Sequence, residues 1–207
     1  AFGQIFNNIQ IKRKDSSDNV IQTIKVPLAY APKEKFLTRL DGQASLNDRE
    51  FAVTLPRMGF EITGLSYDGS RKLTRVQKYR TAKQNIDGKV LNFNYTPVPY
   101  NINYSLYAFT ATAEGGLQIV EQIVPFFQPD YTVTVNIIPD LDIKRDVPIV
   151  LNGINYEDSY DGSFTTRRAV IYTMNFTAKT YLFGPDQTQK TIKTVQVDMY
   201  SDNDTTN

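Results

Sequence analysis

The chain has 207 residues, 23 basic and 22 acidic, with a formal net charge of +1. That length suits one domain or two closely fused small ones, and the balanced charge exerts no global pull toward nucleic acid or an anionic membrane. With neither histidine nor cysteine, the commonest general base, thiol nucleophiles, disulfides and the usual zinc ligands are excluded, so no catalytic residue, cofactor or metal is expected.

The opening AFGQIFNNIQIKRK lacks a charged-then-apolar leader. No segment nears the ~18 consecutive apolar residues of a membrane span, so the expectation is a soluble, unexported protein with no membrane partner. Ile9 and Ile11 lead into the polar turn Lys14-Asp15-Ser16-Ser17-Asp18-Asn19, and Val20 to Leu28 return, which reads as a hairpin. APKEKFLTRLDG follows as a first helix, over about 32–41. Pro32 is pre-set for its first turn, Gly42 lies just past its end, and Phe36, Leu37 and Leu40 form its apolar stripe.

Alternation then dominates. Strands are expected at Gly59–Leu65 and Val90–Tyr95, and in NINYSLYAFT, where Ile102, Tyr104, Leu106 and Ala108 share one face. A second helix is read over 116–127, in GGLQIVEQIVPFFQP. Gln118, Glu121 and Gln122 make a narrow polar stripe, and Leu117, Ile119, Val120, Ile123, Val124, Phe126 and Phe127 cover the rest. A helix so widely apolar needs covering on most sides, which singles out Leu117, Val120, Ile123, Val124 and Phe127 for core or subunit packing. Tyr131, Val133, Val135 and Ile137 alternate in the next strand, Val147–Leu151 forms another, and Val170, Tyr172, Met174, Phe176 and Ala178 share a face in RRAVIYTMNFTAK. Opposite them stand Thr173, Asn175, Thr177 and Lys179, as in an antiparallel sheet open on one side. A last strand is expected at Thr191–Met199. The fold class is α+β, a single domain over 1–200 of mostly antiparallel sheet with two main helices packed against it, and the polar end 201–207 is a flexible tail.

The most unusual segment is SRKLTRVQKYRTAKQN, with Arg71, Lys72, Arg75, Lys78, Arg80 and Lys83 and no acidic residue from Ser70 to Asn85. It reads as a solvated extended loop, as an arm docking onto an acidic partner, or as a phosphate-backbone contact. In DLDIKRDVP, Asp140, Asp142 and Asp146 lack the bend glycine and closing Glu of a calcium loop, so a charged turn before a strand is expected. NYEDSYDGS, with Glu157, Asp158 and Asp161, reads likewise as a turn. Gly115-Gly116 precedes the second helix without the Lys-Ser or Lys-Thr of a phosphate loop. Thirteen Tyr and twelve Phe suit a sheet protein that makes protein contacts.

FNNIQIKR (Phe6–Arg13), VPLAYAPKEKFLTRL (Val26–Leu40), LPRMGFEI (Leu55–Ile62), QIVEQIVPFFQPDYTVTV (Gln118–Val135) and DIKRDVPIVLNG (Asp142–Gly153) occur in that order. With Asp161-Gly162 and Arg167-Arg168 they resemble the tail terminators of contractile-tailed phages, the tail sheath stabiliser and completion family of T-even-like phages. The resemblance runs from about Phe6 to about Gly184. It implies a hexameric ring at the head-proximal end of the virion tail, assembled in the host cytoplasm. Its partners would be copies of itself, the tail sheath protein, the tail tube protein and neck or head-completion proteins, with phage DNA passing the lumen without specific binding. A different head–tail connector or neck protein, or a nucleic-acid-binding module using the basic segment 71–83, are the competing readings.

Overall fold

The computed structural model describes residues 2–17, 19–41, 54–74, 76–85, 88–128, 130–138, 143–159, 169–185, 187–190 and 195–198. They fall into two compact units, one of Ala1–Lys72 with Val98–Leu182, the other of Leu73–Pro97 with Phe183–Asn207. Among the described residues the chain is mostly β-sheet with two α-helices. None of the described helices is long and apolar enough to cross a membrane.

In the first unit, β1 (Gln10–Lys14) and β2 (Val20–Lys25) form the expected hairpin, with Ile11 opposite Ile24. β3 (Leu28–Tyr30) leads to α1 (Lys33–Asp41), and β4 (Arg57–Tyr67), β7 (Val98–Thr110), β8 (Asp130–Ile138), β9 (Ile143–Ser159) and β10 (Ala169–Leu182) follow. These build one six-stranded sheet in the order β3-β4-β7-β10-β9-β8, antiparallel except where β3 runs parallel to β4. Between β7 and β8 lies α2 (Ala113–Ile123), continued by a 3-10 turn over Val124–Phe126.

Period-two alternation decides which side of the sheet is core. Ile102, Tyr104, Leu106 and Ala108 of β7 and Tyr172, Met174, Phe176 and Ala178 of β10 all pack into one cluster. The N-terminal 3-10 turn Phe2–Phe6 plugs it with aromatic rings. Phe2 stacks on Tyr104 at 4.2 Å and meets Phe176 at 5.4 Å, while Phe127 lies 5.0 Å from Phe176. Contacts of this kind contribute about 0.5–1.5 kcal/mol each beyond their burial.

The opposite side of the sheet is open only in part. At one end α1 covers it, because Phe36 packs into a second core of Tyr107, Phe109, Ala169 and Ile171. Beyond that core the outward side chains bond to one another. The Ser105 hydroxyl donates to Asn175 Oδ1 (2.9 Å), Asn152 Nδ2 to Thr177 Oγ1 (2.7 Å), and Thr177 Oγ1 to Asn103 Oδ1 (3.1 Å). The alternation located the face; the helix on it comes from long-range packing.

In the second unit β5 (Lys78–Asn85), β6 (Gly88–Tyr95) and β11 (Gln187–Lys190) form an antiparallel sheet in the order β11-β6-β5. Buried Asn94 donates from Nδ2 to the Gly184 carbonyl at 2.9 Å, and Thr96 donates from both N and Oγ1 to the Gln77 carbonyl.

Several expectations change. The strand read at Thr191–Met199 does not form over Val195–Asp198, which pair with no strand; the remainder lies outside the described residues. Asn155–Ser159, read as part of a turn, continue β9, because β10 pairs with them through Ala169↔Ser159. Ile143–Pro148 also belong to β9, paired with β8, so the charged cluster lies within a strand there, while Asp140, Asp142 and Asp161 lie outside the described residues.

Candidate assembly surfaces

The second helix starts three residues earlier than read, and Gly115 and Gly116 lie inside it. Thr112 caps it, its hydroxyl accepting from Gly115 N at 3.3 Å, and Glu114 sits in the first turn where the helix dipole favours a carboxylate. Glycine costs a helix about 1 kcal/mol per residue relative to alanine, so this pair has a packing reason. A Cβ on Gly116 would stand 2.2 Å from Tyr172 Cε2. The glycine lets the helix lie directly on β10.

From that seat Ile119, Ile123 and Phe127 are buried, and Val120 is half-buried against the core. Val124 is also half-buried, in the 3-10 turn. Leu117 and Phe126 point outward, 49% and 62% exposed. The apolar surface is therefore divided between core and solvent.

The polar stripe serves a purpose that its sequence does not announce. Gln122 Nε2 donates to the Gln10 carbonyl (2.6 Å) while its Oε1 accepts from Gln10 N (3.2 Å). Gln118 does the same for Lys12, accepting from its N (2.9 Å) and donating to its carbonyl (3.2 Å). Two side-chain amides thus occupy the backbone edge of β1 as a neighbouring strand would. The outer edge of β2 has no strand beside it among the described residues. Val20 and Ile21 on it are 51% and 69% exposed, and Lys12, Arg13 and Lys25 are exposed around it. Next to the hairpin lies a cleft of about 410 Å³, lined among others by Ile11, Ile21, Ile24, Leu55 and Pro56.

Among the described residues, β4 also has an edge left open over part of its length. The partner β3 reaches only Met58–Phe60. Beyond it Ile62, Leu65 and Tyr67 are 43%, 59% and 51% exposed. Glu61 at the start of this stretch accepts from the Tyr107 hydroxyl at 2.6 Å. Burial first, and this carboxylate second, push the Tyr107 phenol up to about 12.

The basic segment is divided between the two units. Arg71 and Lys72 close the first unit, and Lys78, Arg80 and Lys83 belong to β5 of the second. Arg75 lies outside the described residues. The loop reading is therefore corrected for Lys78–Asn85, which are a strand paired along their length with β6. Lys78 holds its Nζ 5.0 Å from the centre of the Tyr95 ring. Arg71 is tied down as well. Its Nε donates to Asp68 Oδ2 (2.7 Å), its Nη2 to Asn101 Oδ1 (2.7 Å) and to the Tyr100 carbonyl (3.3 Å), and its guanidinium lies 5.2 Å from the Tyr181 ring centre. The Ser70 hydroxyl, then Arg71, hold the Asp68 carboxyl well below the usual carboxylate range. Lys72 is exposed.

These surfaces are open strand edges, outward apolar side chains and a basic hairpin, all suited to binding protein. Among the described residues, no three acidic side chains gather so as to hold a metal ion. The sequence model described as T4-like virus Myoviridae tail sheath stabiliser matches residues 1–207. The chain is also similar to tail completion protein gp15 of Enterobacteria phage T4. The two are 31% identical over 206 residues, 96% of this chain and 74% of that protein.

Proposed function

The chain belongs to the tail sheath stabiliser family of T4-like myoviruses, proteins of the virion tail, and from that premise we propose that it forms a hexameric ring capping the head-proximal end of the tail tube and sheath. The ring ends the growth of both and offers its far side to the neck. It acts by contact alone, without bond chemistry, and DNA passes its lumen unread. Its partners are copies of itself, the tail sheath and tube proteins, and neck or head-completion proteins.

The family match along the whole chain carries this reading. The surfaces support it physically. A ring requires a heterologous contact between two different patches of one subunit, and this chain exposes apolar residues at the β4 edge and, separately, on α2 and the turn after it. Electron microscopy of the purified protein and of tails assembled with it provides the test. Six-fold rings with a lumen wide enough for duplex DNA are expected. A protein found as single copies on assembled tails would overturn the proposal.

A further inference from the structure

We draw no further inference here: the strongest candidate, the exposed apolar end of the six-stranded sheet formed by Ile62, Leu65 and Tyr67 of β4 with the paired Val98 of β7 and Leu182 of β10, carries nothing, because nothing in the structure shows what covers it.

Discussion

Gly59 of β4 faces Phe36 of α1 so closely that a Cβ on the glycine would stand 2.3 Å from Cε2 of the ring. Phe36 is buried, 5.1 Å from the Phe109 ring, and it anchors α1 on the outer side of the sheet. Gly59→Ala must therefore displace the helix or the strand. The expected loss is about 1–3 kcal/mol, typical of overpacking, read as a lower melting temperature. Gly153→Ala is the control: nothing lies within 4 Å of its added methyl. Equal effects of the two substitutions would show that α1 is not seated as described.

The glutamine pair on α2 makes a prediction about exchange as well as stability. Replacing Gln118 and Gln122 by alanine leaves the backbone groups of Gln10 and Lys12 to water, which replaces the lost bonds in part. Each substitution removes two bonds to β1 and should cost about 1–3 kcal/mol, at about 0.5–1.5 kcal/mol net per bond. The amide hydrogens of Gln10 and Lys12 should exchange faster than this global loss accounts for, since local opening then suffices. Unchanged protection at both amides would mean that the glutamines are bystanders. Gln→Glu at the same positions should be worse than Gln→Ala, because a carboxylate cannot donate to the Gln10 or Lys12 carbonyl.

How much of this could be read from the residues depends on the range of the interaction. The strands β7 and β10 were legible because one side of each is core, and a buried face forces strict alternation. The start of α2 was not, since Gly115-Gly116 resembles a turn until Tyr172, far along the chain, is known to lie against it. The pairing of Gln118 with Lys12 spans 106 residues and leaves no periodic trace. For Val195–Asp198 the pattern announces a strand, but a strand exists only where a second one meets it. Of the basic segment, the partner of Arg71 nearest in sequence, Asp68 three residues before it, was missed although that spacing is a signal that could have found it. Asn101 left no such signal, because only the fold brings it near.

Tyr107 should leave a signature in alkali. Its phenol ionises near 10 in an unfolded chain and at about 12 in the folded one. A raised pKa means that the folded state keeps its proton longer, so the stabilisation is complete below pH 10 and disappears as pH rises through 12. Tyr107→Phe should abolish that dependence. It should also lower stability at neutral pH, since Glu61 loses the donor at 2.6 Å. The measurement is a difference titration of tyrosinate absorbance between the parent and the variant, which isolates one phenol among thirteen. A component ionising near 10 in place of 12 would contradict the buried hydrogen bond.

Arg71 and Lys72 are adjacent cations with opposite expected roles. Arg71 donates to Asp68, Asn101 and the Tyr100 carbonyl, and so ties the end of β4 to β7. Arg71→Ser removes all three bonds and leaves Asp68 without its cation, an expected loss of about 1–3 kcal/mol. Asp68 should then titrate closer to the usual carboxylate range. In the parent its depressed pKa contributes stability that is present above the unfolded value of about 3.9 and lost as pH falls through the folded one. Acid unfolding of Arg71→Ser should therefore depend less on this carboxyl. Lys72 is exposed, and Lys72→Ser should change stability by less than about 0.5 kcal/mol. If Lys72 meets a partner in the tail, its loss lowers the yield of completed tails at constant melting temperature, and the deficit of the parent itself should grow with salt, since charges exposed at the surface are screened over ~3 Å near 1 M. Matched melting curves for Arg71→Ser and Lys72→Ser would refute the division. So would a Lys72→Ser protein that unfolds before it can assemble.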